Sequence, residues 1–378
     1  MSPADTAPVH APPAGPDAAP VPAPSAAPAP PRRRRLRTAR LLPYAAGAWL
    51  AFVVTHRLVS GRWWLWLAPD LTPPLAFLAV PVLLLALAPL AGAARGRVAL
   101  LAAGGLLLGA GLSGLNPGVL RPVSPAPPDA LRVVSWNTGV WNHTDDPDRF
   151  YAAITARPAD VYLLQEYKPH DDPAVRDADL ARLRREFPGY QLAARGELVT
   201  LSRFPIVGVT ALPADPPADA DWYTHYWEVK SLRTDLRIGA RTVSVYNTHL
   251  LIPLDLSSPL GETFYDRRHL FFHRRQDQYR GLLADLDRNR LPVLLAGDLN
   301  TSPAMADLAG LTGRLTDVGR ASGSLYPTSW SIAGLPWWRV DWSFVSADWT
   351  AHRYRLHDMA GMSDHRLQEM TLSLGGTR

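Results

Sequence analysis

The chain has 378 residues, with 39 Lys and Arg, 34 Asp and Glu, 13 Trp and no cysteine. The lack of cysteine excludes disulfides, thiolate nucleophiles, iron–sulfur clusters and cysteine-based zinc sites. The formal charge of +5 is unevenly spread: residues 1–128 hold 11 Arg against 3 acids (net +8), while residues 129–378 hold 26 Arg and 2 Lys against 31 acids (net −3). The basic average therefore belongs to the N-terminal third and is weak support for a nucleic-acid-binding domain.

Residues 1–40 begin as an Ala/Pro-rich tail whose only acids are Asp5 and Asp17. Such a segment buries too little apolar surface to offset its ordering entropy, and it is expected to be disordered with some polyproline character. It ends in a basic cluster, Arg32, Arg33, Arg34, Arg35, Arg37 and Arg40, directly before an apolar stretch. That position favours the cytoplasmic flank of a membrane helix over a nucleic-acid patch.

Residues 41–120 read as a transmembrane region, with three helices expected at about 41–59, 71–91 and 98–118. Roughly 20 apolar residues cross a 30 Å hydrocarbon core. The uncharged stretches Leu71–Ala94 and Val98–Leu120 meet that length. Leu41–Thr55 is short and reaches Val59 only if Arg57 snorkels to the interface. Trp63, Trp64 and Trp66 suit an interfacial belt. A cleaved signal peptide is the competing reading of the first stretch, but the long polar lead and the sequence Thr55-His56-Arg57 do not match a signal cleavage pattern. With the basic cluster, Arg95 and Arg97 on the cytoplasmic side, three spans put the rest of the chain outside the cytoplasm, and Arg57 and Arg62 then run against the positive-inside rule. The expected location is thus a multi-pass cell-membrane protein with an extracytoplasmic C-terminal domain.

Residues 121–130, with Pro122, Pro125, Pro127 and Pro128, form a stiff linker. Residues 131–374 then suit a single domain. Short β-rich runs recur at Leu131–Trp136, Val161–Leu164, Leu198–Leu201, Thr242–Asn247, Val293–Ala296 and Val340–Val345, and helical patterns fall at Ala178–Glu186 and Tyr265–Asp287. Asp221–Lys230 reads as an aromatic strand.

Polar residues cluster at the ends of those strands: Asn137, Glu166, His249, Asp298, Asn300, Asp341, Asp364 and His365. Taken singly, each is more simply a turn, cap or packed residue. Together they supply carboxylates that would repel one another if they converge. A hard divalent cation resolves that repulsion, because Mg²⁺ takes oxygen ligands, keeps waters and is completed by substrate phosphate. Neighbouring imidazoles can protonate a leaving oxygen or stabilise charge on phosphoryl oxygens. Residue chemistry alone therefore gives metal-assisted hydrolysis of a phosphoester.

In order, SWN (Ser135–Asn137), LLQE (Leu163–Glu166), LSRFPI (Leu201–Ile206), NTHL (Asn247–Leu250), GDLN (Gly297–Asn300), RVDW (Arg339–Trp342) and SDH (Ser363–His365) make the domain resemble the endonuclease/exonuclease/phosphatase (DNase I-like) superfamily. The resemblance implies an α/β fold, a four-layer α/β/β/α sandwich of two mixed sheets. It implies metal-side roles for Asn137, Glu166 and Asp364, and Mg²⁺ as the cofactor with Mn²⁺ as the alternative. Asp298 would orient or deprotonate the attacking water, with Asn300 beside it on the phosphate. His249 would sit near the leaving group, and His365 would face the phosphate with Asp341 holding its orientation.

The layout of spans followed by this domain also resembles actinobacterial membrane members linked to glycopeptide resistance, which are similar to polyprenyl pyrophosphate phosphatases. The expected function is a membrane-anchored phosphoesterase of a phosphorylated lipid or small molecule; the alternative is a surface nuclease, with nucleic acid as partner. No protein partner is expected. His269 and His273, spaced i, i+4, read as a helix face rather than half a metal site. Trp330, Trp337, Trp338 and Trp342 are either an aromatic lip near the site or core. Arg268, Arg275 and Gln276 either face substrate or line a charged outer face.

Overall fold

The computed structural model describes residues 32–141, 146–212, 226–227, 229–253, 264–332 and 335–375. Of the disordered tail expected over residues 1–40, residues 1–31 lie outside them, whereas 32–40 with the basic cluster are helical and continue into the first apolar stretch; most of the Asp221–Lys230 segment also lies outside the described residues. Within that segment, Tyr226 and Trp227 form a helical turn and not a strand.

The N-terminal region is helical: α1 (Arg32–Val59), a single turn α2 (Leu67–Asp70), α3 (Ala76–Leu87) and α4 (Arg95–Gly109). The stretch Ala76–Leu112 is long and apolar enough to cross a membrane by length and composition. It is not one rod. Gly92 adopts φ 58°, ψ −123°, a conformation that glycine takes without a Cβ penalty, and the chain folds back there. α3 and α4 then pack against each other and against α1. The far half of this bundle is held by Leu42, Ala46, Leu84, Ala88, Val98 and Ala102. At the near half, Val53 and Phe77 pack with Ala304 of the following domain. Outward-facing residues are apolar too, including Leu83, Leu90, Leu100 and Leu107. A helix apolar on all sides is the pattern of a membrane span or a large-protein core.

Two sheets build the domain. The strands are β1 (Leu131–Asn137), β2 (Val161–Gln165), β3 (Gln191–Arg195), β4 (Leu198–Ser202), β5 (Ile206–Leu212), β6 (Ser231–Ile238), β7 (Arg241–His249), β8 (Val293–Asp298), β9 (Thr316–Asp317), β10 (Trp330–Ile332), β11 (Leu335–Trp338), β12 (Asp341–Val345), β13 (Trp349–His357) and β14 (Leu367–Leu374). One sheet has the order β13-β14-β1-β2-β4-β3 and the other β5-β6-β7-β8-β12-β9, with β10-β11 a separate hairpin. Each sheet is mixed, with one parallel pair near its centre, β1 with β2 and β7 with β8.

Alternation along the strands sorts the layers. Leu131, Val133, Val161 and Leu163 face Leu236, Val243, Val245, Leu294 and Ala296 across the gap between the sheets. Val134, Trp136 and Leu164 point the other way, onto α5 (Pro147–Thr155) and α6 (Asp177–Glu186) through Phe150, Ile154 and Leu183. On the other side Leu295, Trp342 and Phe344 meet Tyr279 and Leu282 of α7 (Phe264–Arg288). A last turn, α8 (Ala309–Thr312), follows β8. This is the four-layer α/β/β/α sandwich that the motifs imply.

Candidate active site

The same alternation that buries Val133, Leu163, Val245 and Leu294 between the sheets carries Asn137, Gln165, His249 and Asp298 to one mouth of the sandwich. Register places Asn137 beside Gln165 and His249 beside Asp298 in the two parallel pairs, and Asp341 opposite Asp298. Glu166 would fall on the outer face by alternation. Its φ of 51° breaks the pleat at that point, and the carboxylate accepts from Asn137 Nδ2 at 3.2 Å. Asn300 also has positive φ, 47°. Such backbones cost of order 1–3 kcal/mol each in non-glycine residues and collect at functional sites. Gly297, just before Asp298, has no room for a side chain: a Cβ there would lie 1.8 Å from Thr248 O.

All eight predicted residues converge. Asn137 Nδ2 bridges Glu166 Oε1 and Asp298 Oδ2 (3.2 and 3.0 Å), while its Oδ1 accepts from Gly139 N at 3.0 Å. Asn137 therefore presents its amide nitrogen to the carboxylates. Asn300 N donates to Asp298 Oδ1 at 2.8 Å, and Asn300 Nδ2 donates to Leu250 O at 2.9 Å, tying the loop after β8 to the end of β7.

Two histidines flank Asp298 Oδ2. His249 Nε2 lies 3.7 Å from it and 3.7 Å from Glu166 Oε1; His365 Nε2 lies 3.6 Å from it. Each ring is held from behind by a buried carboxylate. His365 Nδ1 donates to Asp341 Oδ2 at 2.9 Å, and His249 Nδ1 donates to Glu197 Oε1 at 2.7 Å. Ser329 Oγ accepts from Asp341 N at 2.9 Å, and Ser363 Oγ accepts from His365 N at 3.0 Å. Asp364 is the open member, with its side chain 57% exposed and its Oδ2 accepting from Trp330 Nε1 at 2.7 Å.

The electrostatics follow from burial and charge. Burial pushes the Asp298 carboxyl above the usual range and Asp341 adds to the rise, while His365 and His249 oppose it. Burial works against a charged His365, but Asp341 and Asp298 overcome it and hold the imidazole well above its ordinary value. His249 is raised in the same way, with Glu197 overcoming burial. For Glu197, burial opposes the charge, yet Lys230 and His249 win and hold its carboxyl down at about 2.

Glu197 and Lys230 had no role in the sequence reading. Glu197 is 1% exposed and receives a hydrogen bond from the fully buried Lys230. The Lys230 ammonium lies 4.0 Å from the Tyr226 ring centroid. The available signal was a glutamate directly before the apolar run Leu198–Leu201, where a buried charge demands a partner.

Other expectations resolve by contact. Trp342 is core: it packs on the outer face and donates from Nε1 to Thr301 O. Trp330 sits beside His365, with ring centroids 6.3 Å apart, and Trp337 is 39% exposed on the β10-β11 hairpin. Arg268 and Arg275 are tied to backbone carbonyls. Arg268 donates to Leu65 O, and Arg275 is fully buried with bonds to Leu251 O and Leu299 O. Gln276 donates to Asp307. His269 and His273 lie on the exposed face of α7, with His269 against Trp64.

The donor set suits a hard divalent cation. Glu166, Asp298, Asp341 and Asp364 have no Lys or Arg ion pair among the described residues. Asp341 Oδ1 is buried without a hydrogen-bond partner. Donor atoms of Asp298, Asp341 and His365 lie within 4.8 Å of one another. Asp298 and Asp341 are buried and Asp341 is bonded to His365, so Glu166 and Asp364 are the more exposed oxygen donors.

The sandwich and its acidic mouth define a class of hydrolase acting on phosphorus esters. Residues 134–365 match the model of the Endonuclease/Exonuclease/phosphatase family, and the chain belongs to that family. The matched span contains all eight site residues. The chain matches none of the curated proteins. Among solved structures it is similar to an endonuclease/exonuclease/phosphatase from Beutenbergia cavernae (23% identity, 65% of this chain and 72% of that one, TM-score 0.46). It is also similar to a Bacteroides thetaiotaomicron mannosyl-6-phosphatase (17%, 65% and 100%, 0.45) and to a Neisseria 3′ phosphatase bound to a product DNA hairpin (16%, 65% and 100%, 0.46).

Proposed function

We propose that this protein is a membrane-anchored, divalent-metal-dependent phosphoesterase whose substrate is a phosphorylated lipid, with a polyprenyl pyrophosphate the best candidate. One observation carries the lipid reading. The loop after β8 starts at Asn300 in the acidic mouth and reaches Ala304, which packs with Val53 and Phe77 and accepts from His56 Nε2 at 2.8 Å. The mouth and the helical bundle are thus one short loop apart, and a bilayer around the bundle brings lipid phosphates to the mouth. Tethering raises the effective concentration of such a substrate. The outward leucines of the bundle support burial in lipid, since an exposed apolar surface of that kind is a liability in water.

The ends of α1, α3 and α4 nearest the domain carry Arg57, Arg62 and Arg121; the opposite ends carry the cluster from Arg32 to Arg40 with Arg95 and Arg97. That asymmetry supports a domain outside the cytoplasm.

Glu166 and Asp364 would hold Mg²⁺, or Mn²⁺ as the alternative, with Asn137 beside them; when bound, the cation would neutralise charge on the phosphoryl oxygens. Asp298, with its Oδ1 fixed by Asn300 N, would orient and accept a proton from the attacking water. His365, whose cationic form Asp341 favours, would face the phosphoryl oxygens as a hydrogen-bond donor. His249, whose cationic form Glu197 favours, would offer its Nε2 proton on the leaving-group side.

The test is phosphate release by the full-length protein in detergent micelles, with Mg²⁺ and polyprenyl pyrophosphate. Release that requires Mg²⁺ and is lost in His365→Ala supports the reading. Plasmid nicking without release from the lipid would replace it with the nuclease alternative.

A further inference from the structure

At the seam between bundle and domain lies a second cleft of about 600 Å³, lined by none of the eight site residues. Four arginines line it: Arg339, which is spent on Asp317, and three from three different segments, Arg57 near the end of α1, Arg121 after α4, and Arg320 from the turn after β9. Arg57 Nε donates to Leu108 O at 2.7 Å. No carboxylate pairs with Arg57, Arg121 or Arg320 among the described residues. The one acid lining the cleft, Asp317, is already neutralised. Buried Arg339 grips both its oxygens at 2.7 and 2.6 Å, and Gly319 N adds a third bond at 2.8 Å.

The walls are held firmly. Asn116 Nδ2 lies 3.2 Å from each of Gly319 O, Ser322 O and Ser324 O, and its own N–H donates to Leu325 O at 2.8 Å. Ala306 N donates to Ser60 Oγ at 3.0 Å on the other wall. Exposed Leu58, Trp63 and Leu120 flank the opening in sequence, the residue types of a membrane–water interface.

We infer that this cleft binds the phosphate of an anionic headgroup, lipid-borne or free, as a site separate from the acidic mouth. Guanidinium groups recognise phosphate through charge-assisted, often bidentate bonds. Three of them around one cavity, with its only carboxylate spent, leave a positive hole that an anion fills. The site also accounts for Arg57 and Arg121 at the domain end of the bundle, where the positive-inside rule disfavours them. The lipid source rests on the membrane reading given above; the anion site itself does not.

The experiment is thermal unfolding of the full-length protein in dodecyl maltoside, titrated separately with dioctanoyl phosphatidylglycerol, dioctanoylglycerol, glycerol phosphate and inorganic phosphate. A ligand that binds only the folded state raises Tm with concentration. Phosphatidylglycerol is expected to raise Tm where dioctanoylglycerol does not. The double variant Arg121→Gln/Arg320→Gln is expected to need about tenfold more lipid for the same rise. Arg121→Lys/Arg320→Lys keeps the charge and is expected to retain most of the response, which separates recognition from misfolding.

If glycerol phosphate or inorganic phosphate matches the lipid, the site stands and its ligand is a soluble anion. An unchanged lipid response in the Gln double variant overturns the proposal, as does an equal response to dioctanoylglycerol. Carbonate extraction of membranes is read in parallel. Release of the protein by carbonate breaks the membrane reading and leaves the arginine-dependent anion site to be judged by the soluble ligands.

Discussion

The acidic mouth and the seam beside the helical bundle are opposite solutions to burying polar groups, a short loop apart. The mouth crowds Glu166, Asp298, Asp341 and Asp364 together without an ammonium or guanidinium ion pair among the described residues. It neutralises them only in part, through two histidines that are themselves anchored by acids. The seam cleft does the reverse, leaving Arg57, Arg121 and Arg320 without acids among the described residues while His56 and Asn116 bond to backbone carbonyls. Unbalanced charge is where each region would take its proposed ligand: a cation and a phosphoryl group at the mouth, an anion at the seam. Asn116 on the 319–324 turn, and Arg275 through its bonds to Leu251 O and Leu299 O, fix the geometry between them.

The largest expected effect comes from the mouth. Asp298→Asn or His365→Ala should lower phosphate release by roughly 10³-fold, the scale of lost acid–base catalysis. A chelator should abolish release in the wild type, and Mg²⁺ should restore it. Persistence of release in chelator would break the contrast, because the mouth would then need no cation.

Next is Glu197→Gln. Loss of an orienting partner behind a functional group typically costs about 10–100-fold, and the change also strands buried Lys230, a destabilisation of about 3 kcal/mol or more. Glu197 has a depressed folded value, about 2, against about 4.3 for an unfolded glutamate. Its contribution is therefore fully present above about pH 4.3 and is lost as pH falls toward 2. Unfolding curves from pH 5 to 2 should show wild-type stability dropping more steeply than that of the variant.

Asp70 sharpens the comparison from the seam side. It is 1% exposed and 3.7 Å from His56. Burial pushes its carboxyl up to about 7, and nearby Asp307 adds to the rise against Ser60 and Arg275. A raised value means stability is lost as pH climbs, so Asp70→Asn should gain Tm over the wild type from about pH 4 to 7 and hold that gain above it. Turnover should be unchanged. A matched loss of turnover would show that the seam governs the mouth. The smallest effect is expected for Arg121→Gln/Arg320→Gln on a soluble phosphoester, where release should stay within about twofold of wild type.

The architecture was legible wherever a run was buried on both faces. The six strand runs read from sequence lie within or overlap β1, β2, β4, β7, β8 and β12, and both helical patterns recur as α6 and α7. The edge and charged strands were not legible. β6 carries Arg233, Asp235 and Arg237, and β13 carries His352, Arg353 and Arg355, so neither shows the apolar signal of a central strand. All eight site residues could be named because each lies in a recognisable motif at or beside a strand end: Asn137 and Asp298 close β1 and β8, Asp341 opens β12, and Asp364 and His365 precede β14. Glu197 could not, because its role depends on Lys230 and His249 arriving from other strands. The seam was equally silent: nothing local to Asn116 or His56 announces a carbonyl about 200 residues away.

The decisive measurement is phosphate release from polyprenyl pyrophosphate by the full-length protein in micelles, with and without Mg²⁺, beside His365→Ala. Release is expected to need both the cation and His365. A folded, Mg²⁺-supplied protein that releases no phosphate from this lipid, or a His365→Ala variant that releases it at the wild-type rate, would contradict it.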